Sequence, residues 1–419
     1  MAFNKDEMHA PKWMDSAFFE KVLKHSENDA GLLVRESKIV PGTKPGDHFA
    51  SIIFRAAVSF KSRGKDQHIS LIIKTIPEQE GMKRDILKDG DIFETETIMY
   101  QSVIPEMERL LQSAGDGTEF GPRLLYSSKD PTWVMVFEDL TKRDYQMQYS
   151  QLNLDEAKIV YAKLARWHAA SLYLSNTVPI ISKLDKGLGN LMNSEFSEVW
   201  IGHIATLAKL CRGWPGYETF GERLDNMKGT ILNKLQDIYK LKDSNLINVL
   251  NHGDLHSKNM MFKIDDGVTK DILLLDYQIS CWGSPAIDII YSLYNTCSVE
   301  TRDNHRDELI KFYHDEFTAA LGKFGYLKKI PTLVDLHVEV LKCGYLETFL
   351  SCTFLPFMIL PFDELMPKNE TNPEEGVELD FADKEKMQEM MERVFQHPKY
   401  VAIIQRYLPT LLHKGLLEA

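Results

Sequence analysis

The segment His252-Gly-Asp-Leu-His-Ser-Lys-Asn259 decides how the rest of the chain is interpreted. It has the spacing H-x-D-x4-N, and Leu-Leu-Leu-Asp276-Tyr-Gln follows, with Asp276 seventeen residues after Asn259. The apolar runs NMMFKI and DILLLDYQ, joined by the turn DDGVTK, predict a small β-hairpin between the two halves. Asn259 would stand at the start of the first strand and Asp276 at the end of the second.

This pattern matches the needs of phosphoryl transfer from ATP. A carboxylate must orient the attacking hydroxyl and accept its proton, and further oxygen ligands must hold Mg²⁺ against the phosphates. Asp254 suits the first role, and Asn259 and Asp276 suit the second, because Mg²⁺ prefers hard oxygen ligands and takes few from protein. Taken alone, His-Gly-Asp is equally compatible with a turn, and Leu-Leu-Leu-Asp with a strand that ends in a polar cap.

The chain up to about residue 140 predicts a small antiparallel sheet with one helix. Residues 51–60 and 68–75 are rich in β-branched and aromatic side chains and predict a hairpin. Residues 90–104 have apolar positions at helical spacing, and Pro105 ends or kinks that helix. The runs PRLLYSS and TWVMVFE predict two further strands.

Lys74 ends the second strand of the hairpin. In a phosphotransferase it would contact the ATP phosphates and be held by a glutamate on the following helix. Glu96 is favoured over Glu94 because its helical phase places it nearer the apolar face. A lysine at a strand end also commonly just faces water.

Two further segments are candidates for nucleotide contact. Residues 40–51, VPGTKPGDHFAS, could cover the phosphates with backbone N–H groups and Ser51, although an ordinary turn explains them equally well. VMVFEDL ends the last strand of the sheet, so Glu138 and Leu140 fall where the backbone of a connecting segment would bind adenine.

After about residue 150 the pattern becomes helical. Leu154–Leu174 is long and amphipathic, with acidic residues in its first turn. The acidic, proline-containing segment 366–386 predicts an exposed loop. The expected fold is therefore α+β with two lobes, an N-terminal ATP-binding lobe over 1–140 and a helical C-terminal lobe over 141–419. Further helices are predicted near 193–212, 222–241, 303–322, 334–352, 383–396 and 399–414.

Composition restricts partners and location. Forty-nine basic and 61 acidic residues give a net charge of −12, which disfavours non-specific binding to nucleic acid or anionic membranes. The most apolar stretch, 349–362, is too short to span a bilayer and contains two prolines. The five cysteines show no CxxC spacing and no apolar leader is visible, so we expect a reducing, cytoplasmic environment.

Six phrases between about residues 90 and 295 resemble a known family: FETETIMY, VFEDL, LARWHAAS, NHGDLHSKNMMF, LLDYQ and GSPAIDIIYSL. The chain resembles the small-molecule branch of the protein-kinase-like fold, which includes aminoglycoside phosphotransferases and choline kinases. It is most similar to the ecdysteroid kinase-like family of insects. The resemblance implies ATP- and Mg²⁺-dependent phosphorylation of a hydroxyl on a small molecule, and the family's namesake acceptors are steroid hormones.

The resemblance also implies roles for individual residues. Asp254 would be the catalytic base, Asn259 and Asp276 the Mg²⁺ ligands, and Lys74 with Glu96 the pair that clamps the phosphates. Asp288, in GSPAIDII, matches an acid that braces the catalytic loop in related folds, and His252 matches a structural brace.

Some features depart from related kinases. Family members often carry an aromatic residue where this chain has His256, which is interpreted as a solvated loop residue or as a contact of the phosphate or acceptor. Asp-Tyr-Gln replaces the Asp-Phe-Gly of protein kinases, and Gln278 should make a backbone flip less easy than glycine would. The short loop after Asp276 leaves no room for a peptide platform, so a protein substrate is not expected.

The acceptor stays open at this stage. Aromatic residues of the C-terminal half could line a site for a steroid or another apolar alcohol, and could equally belong to the core. A cationic acceptor such as choline or an aminoglycoside is compatible with the net charge. A non-catalytic binding protein would require the loss of a catalytic group, and all are present. The aromatic candidates are Trp282, Tyr345, Phe349, Phe354 and Phe357.

Overall fold

A five-stranded antiparallel sheet dominates the N-terminal part, with strand order β1-β2-β3-β5-β4. The structure is a computed structural model that describes residues 9–42, 51–78, 92–185, 187–191, 196–240, 242, 246–360 and 384–418. The elements of this part are α1 (Ser16–Glu27), β1 (Leu33–Pro41), β2 (Ile52–Ser62), β3 (Lys65–Thr75), α2 (Ile92–Ile98), α3 (Ile104–Ser113), β4 (Leu124–Ser128) and β5 (Val134–Glu138).

The two faces of this sheet have different neighbours because side chains alternate along each strand. Phe54 and Ile73 point to the face that packs with Phe19 of α1 in a small separate core. Lys74 and its cross-strand partner Ile53 lie on the opposite face. Met135 on β5 also faces that side and joins the main core together with α2 and α3. The sheet therefore presents Lys74 toward α2 and the helical part of the chain.

The prediction of one helix in this part was wrong. Helix α1 precedes the sheet, capped by the carboxylate of Asp15, and a first strand, β1, pairs with β2. The helix predicted to end or kink near Pro105 does not end there and continues to Ser113. A π-helical turn, Met99–Val103, connects α2 to α3. This wider turn accommodates Pro105, which has no N–H to donate and would clash with a regular preceding turn.

Helices make up most of the remaining chain, and two small sheets lie among them. Strands β6, β8 and β9 form one antiparallel sheet, and β7 pairs with β10. The strands are β6 (Tyr145–Met147), β7 (Val249–Asn251), β8 (Met260–Asp265), β9 (Val268–Leu274) and β10 (Cys281–Gly283). The helices are α4 (Leu154–Leu174), α5 (Ile180–Lys183), α6 (Gly187–Leu191), α7 (Phe196–Gly213), α8 (Glu218–Met227), α9 (Ile231–Lys240), α10 (Ala286–Asn295), α11 (Val299–Lys323), α12 (Leu333–Lys342), α13 (Gly344–Thr353), α14 (Leu355–Ile359), α15 (Lys384–Phe395) and α16 (Pro398–His413).

Two predicted helices are each divided. The segment 222–241 is split between α8 and α9, with Gly229 in the break, where a glycine is a poor helix former. The segment 334–352 is split between α12 and α13 at Cys343, and Gly344 is the first residue of α13. A Cβ on Gly344 would lie 2.7 Å from the Leu416 side chain, so the close packing of the C-terminal segment needs this glycine.

The predicted α+β class, with an antiparallel sheet first and helices after it, is confirmed. The hairpin predicted between Asn259 and Asp276 is β8–β9, with Met260 paired to Leu274. Most of the loop predicted at 366–386 lies outside the described residues, and 384–386 begin α15. No helix in the described part of the chain is both long and apolar enough to cross a bilayer.

Candidate active site

Lys74 on β3 contacts two carboxylates, one on helix α2 and one at the end of the β8–β9 hairpin. Its Nζ lies 2.6 and 2.8 Å from the two carboxylate oxygens of Glu96 on α2, and 2.9 Å from Oδ1 of Asp276 after β9. Lys74 and Glu96 are buried, whereas the Asp276 side chain keeps 23% of its surface exposed. Glu94 points away and pairs with Lys129 at 3.2 Å. Residues 202 positions apart therefore meet at one ammonium group.

For both Lys74 and Glu96, burial and the opposite charge of the ion-pair partner shift the pKa in opposite directions. Burial alone would lower the pKa of the Lys74 ammonium, but Asp276 and Glu96 outweigh it and raise that pKa to about 12. Burial raises the pKa of Glu96 to about 7, against the attraction of Lys74 and with the added repulsion of Asp276. Lys74 is thus always charged near neutral pH, while its glutamate partner is poised to titrate.

The raised pKa of Glu96 predicts pH-dependent nucleotide binding. The folded protein holds a proton on Glu96 to a higher pH than its ordinary 4.5, so the carboxylate that fixes Lys74 is lost as the pH falls through about 7. Mg·ATP affinity should therefore weaken several-fold between about pH 8 and pH 6. Calorimetric titration across this range would measure it. Glu96→Gln should lack the extra slope, and equal slopes in both proteins would contradict the assignment.

Asp254 lies in the loop between β7 and the hairpin and is fixed by three side chains. Nδ2 of Asn259 donates to the carbonyl oxygen of Asp254 at 3.0 Å and to its Oδ2 at 2.9 Å. The hydroxyl of Tyr291 on α10 donates to Oδ1 at 2.5 Å. Nε2 of His256 lies 3.4 Å from the same oxygen, so His256 is a neighbour of the carboxylate and not a solvated loop residue.

These neighbours keep Asp254 ionised. Burial would raise the pKa of its carboxyl group, but His256 and Tyr291 outweigh burial and hold that pKa well below the ordinary value. Such a weak base suits a reaction in which the acceptor hydroxyl is oriented first and its proton is taken late. The carboxylate is therefore chemically suited to phosphoryl transfer and poorly suited to early proton abstraction.

The loop that carries Asp254 is held in place by Asp288, the third residue of α10. Its completely buried carboxylate accepts the backbone N–H groups of His252 at 2.6 Å and Gly253 at 2.9 Å, and lies 3.2 Å from Nε2 of His168. His252 donates from Nε2 to the carbonyl of Leu275 at 2.9 Å, which ties the loop to the end of β9. Gly253 has φ +87°, and a Cβ there would lie 2.3 Å from the carbonyl oxygen of Ile279.

Removing this brace should destabilise the whole molecule. Asp288→Ala would leave two backbone N–H groups and His168 without their acceptor in a dry interior. We expect the free energy of unfolding to fall by about 3 to 5 kcal/mol, measured by urea denaturation. Asp307→Ala, at an exposed position on α11, is the control and should change it by less than about 0.5 kcal/mol. Equal small losses in both variants would argue against the brace.

Asp276 is held in place by the residue that follows it. The fully buried Tyr277 ring stacks on Trp167 at 5.0 Å between centroids and meets Tyr100 edge-on at 5.3 Å. Its hydroxyl donates to the carbonyl of Phe120 at 3.0 Å. Asp276 itself has φ +65°, a left-handed conformation that a non-glycine residue adopts only when its surroundings enforce it.

The oxygens near Asp276 fit a Mg²⁺ ion. Both hydrogen bonds of the Asn259 amide nitrogen go to Asp254, so its Oδ1 remains to coordinate a cation. Oδ1 of Asp276 accepts from Lys74, which leaves Oδ2. The backbone N–H of Leu275 donates to the carbonyl of Asn259 at 2.8 Å and holds the two positions side by side. An amide and a carboxylate oxygen are ligands that Mg²⁺ accepts alongside phosphate and water.

The other predicted nucleotide contacts, Ser51, Glu138 and Leu140, do not share one face of the sheet, because Glu138 pairs with Leu71, which belongs to the core on the α1 side. Ser51 is buried two residues before Ile53, the partner of Lys74 across the ladder, while 43–50 lie outside the described residues. The backbone N–H of Glu138 already donates to the carbonyl of Arg123, and its carboxylate accepts from Arg143 at 3.1 Å. That N–H is therefore unavailable to a base. Leu140 is buried in a small apolar cluster with Tyr145 and Leu273.

Sequence reasoning missed the side chains that support the site. Tyr291 carries no motif of its own, although it lies three residues after Asp288 and so on the same side of α10. The stacking of Tyr277 on Trp167 joins LLDYQ to LARWHAAS, two phrases that were considered separately. Of the aromatic acceptor candidates, Phe349 is completely buried core, whereas Phe354 is partly exposed and its ring centroid lies 6.4 Å from that of Tyr291.

Comparison with known families agrees with this geometry. Residues 45–326, well over half of the chain, match the model of the ecdysteroid kinase-like family. The chain belongs to the ecdysteroid kinase-like family. The resemblance noted on six sequence phrases is thereby confirmed, and the matched range contains Lys74, Glu96, Asp254, Asn259 and Asp276. No curated protein matches this member of the ecdysteroid kinase-like family.

Solved structures are similar at low identity. The GDP complex of aminoglycoside 2'-phosphotransferase-IIIa is 12% identical, covering 81% of this chain and 90% of that one, with a TM-score of 0.38. Plasmodium vivax ethanolamine kinase is 13% identical over 84% and 85% of the two chains, with a TM-score of 0.34. Choline kinase LicA from Streptococcus pneumoniae is 11% identical over 78% and 98%, with a TM-score of 0.33.

Proposed function

We propose that this ecdysteroid kinase-like protein is an ATP- and Mg²⁺-dependent phosphotransferase that phosphorylates a hydroxyl group of a small molecule. The observation that carries the proposal is the contact of Lys74 with both Glu96 and Asp276, beside the Asp254–Asn259 loop. A phosphate-binding lysine, a metal-binding carboxylate and an orienting carboxylate are the groups that ATP-dependent transfer requires. In this proposal residues 1–140 bind the nucleotide, and residues 141–419 provide the catalytic loop and the acceptor pocket.

The proposed reaction assigns a task to each side chain. Lys74, held by Glu96, contacts the phosphates, and Asn259 and Asp276 hold Mg²⁺, which supplies positive charge against them. Asp254 orients the acceptor hydroxyl in line with the γ-phosphorus, and Tyr291 fixes the direction of that carboxylate. A bond forms between the acceptor oxygen and the γ-phosphorus as the bond from that phosphorus to the β–γ bridging oxygen breaks. The hydroxyl proton passes to Asp254, and ADP leaves.

The acceptor is proposed to be an apolar alcohol of the ecdysteroid or a related steroid class. Phe354 supports this choice, because its partly exposed ring lies beside Tyr291, whose hydroxyl bonds the orienting carboxylate. Trp200, a buried core residue, supports the Phe354 ring, with 6.3 Å between the two ring centroids. Aromatic surface next to one orienting polar group is typical of sites for flat apolar ligands.

ADP release by the purified protein tests the proposal. Wild type and Asp254→Ala would be assayed with Mg·ATP against ecdysteroids, other steroids, choline, ethanolamine and aminoglycosides. Acceptor-dependent ADP release by wild type alone supports phosphotransfer, and the responding compound names the acceptor class. A response to choline or aminoglycosides only would replace the apolar acceptor with a cationic one. Failure to bind ATP would remove the proposal and favour a non-catalytic ligand-binding role.

A further inference from the structure

A second charged cavity lies in the helical part, between α11, α13 and α16. It has a volume of about 310 Å³. Four cationic and two acidic side chains line it, which leaves a net charge of +2. The cations are Arg302, Arg306, Arg406 and Lys414, and the acids are Asp303 and Glu347.

Arg302 is the most deeply buried of the four cations, with 3% of its side chain exposed. Its Nε donates to the hydroxyl of Tyr407 at 2.7 Å, and its Nη1 to the carbonyls of Leu293 and Tyr294 at 3.2 and 3.3 Å. Within the described part of the chain, its Nη2 finds no acceptor. The nearest carboxylate oxygen, of Asp303, is 4.0 Å from Nε and beyond hydrogen-bonding distance.

The acidic residues are already committed to the other cations. Glu347 is buried and accepts from both Arg306 and Lys414, the latter at 3.0 Å. Asp303 pairs with Arg406 at 3.0 Å and also accepts from the Tyr407 hydroxyl. Each carboxylate thus serves more than one donor, and the guanidinium of Arg302 keeps an unpaired donor where burial makes an unmatched charge costly.

The four cations that line the cavity differ in the exposed fraction of their side chains. Arg302 is nearly inaccessible, Lys414 is 33% exposed and Arg406 is 59% exposed. A ligand entering past the outer two would meet positive charge at each depth. Guanidinium groups match the oxygens of phosphate better than any other side chain, because they donate two parallel hydrogen bonds.

We infer that this cavity between α11, α13 and α16 binds a phosphate group, either inorganic phosphate or the phosphate of a small monoester. Two negative charges would balance the lining, and an anionic oxygen would give Nη2 of Arg302 its acceptor. None of the described residues that line this cavity belongs to the site at Asp254. Arg302 caps the C-terminal end of α10, whereas Asp288 and Tyr291 lie earlier on that helix. The inference therefore stands independently of the proposed phosphotransfer.

Calorimetric titration of the full chain with inorganic phosphate tests the site. The titration would be repeated with a non-hydrolysable Mg·ATP analogue present, so that binding at the nucleotide site is identified by its loss. We expect saturable binding that survives the analogue and weakens roughly 10- to 100-fold in Arg406→Gln and in Lys414→Gln, since each removes a charge-assisted contact. Lys311→Gln, an exposed lysine of α11 paired with Asp315, is the control and should bind as wild type does.

Two further measurements identify the ligand and test the role of Arg302. Glycerol 3-phosphate binding more tightly than inorganic phosphate identifies a monoester as the ligand, and equal affinities identify the phosphate group alone; glycerol should not bind. Arg302→Lys, checked for folding by circular dichroism, keeps the charge but removes Nη2 and should also weaken binding. No saturable binding by wild type up to about 10 mM phosphate, or equal affinity in all the variants, would overturn the site.

Discussion

Asp254→Asn should lower the rate of acceptor phosphorylation by roughly 10³-fold or more, while Mg·ATP affinity stays within about twofold of wild type. In the proposed mechanism, this carboxylate orients the acceptor hydroxyl and receives its proton. Asparagine has the same shape, and its Oδ1 can still accept from Tyr291. Its amide nitrogen can no longer accept from Asn259, but Asn259 still donates to the backbone carbonyl of residue 254 at 3.0 Å, so the loop should keep its conformation. The loss would therefore report chemistry and not folding.

Single-turnover ADP formation with the responding acceptor measures this effect, and calorimetry measures ATP affinity. Asp265→Asn is the matched control, because Asp265 is an exposed aspartate on β8 in the same part of the chain. It should turn over at the wild-type rate. An Asp254→Asn protein that kept more than about a tenth of wild-type turnover would show that another residue orients the acceptor.

The local parts of this site were predictable from the sequence, because motif spacing encodes them. Asp254 and Asn259 are five residues apart in one loop, and the hairpin that returns the chain to Asp276 is visible in two apolar runs. Helical phase also distinguished Glu96 from Glu94, because residues two apart on a helix point to nearly opposite sides and only one of them can face the sheet.

Contacts between residues far apart in the chain were harder to predict from the sequence. Tyr291 meets Asp254 across 37 residues, and its hydroxyl could have pointed elsewhere on any sequence argument. The breaks at Gly229 and at Cys343, just before Gly344, were missed because apolar periodicity continues through them. Gly344 is explained only by the approach of Leu416, a residue from the far end of the chain. Long-range packing of this kind overrides local helix preference.

The second large effect on activity is expected at Asp276, which contacts Lys74. Asp276→Asn should reduce phosphorylation by roughly 10³-fold and abolish most of the Mg²⁺ dependence of ATP binding, because it removes the only carboxylate at the proposed metal site. The fold should survive, because asparagine tolerates the left-handed conformation at φ +65° better than most residues. Lys74 also keeps both oxygens of Glu96 as partners. ATP titrations with Mg²⁺ or EDTA, together with turnover, measure the change.

Asp276→Asn should also lower the pKa of Glu96. The charge of Asp276 helps to raise the pKa of Glu96 to about 7, so its removal should shift the pH dependence of ATP binding toward lower pH. Asp266→Asn is a close control, because Asp266 is exposed in the turn of the same hairpin and is also left-handed, with φ +49°. It should leave turnover, Mg²⁺ dependence and the pH profile unchanged. A catalytic loss in Asp276→Asn without any shift in the profile would mean that Glu96 and Asp276 are not coupled through Lys74.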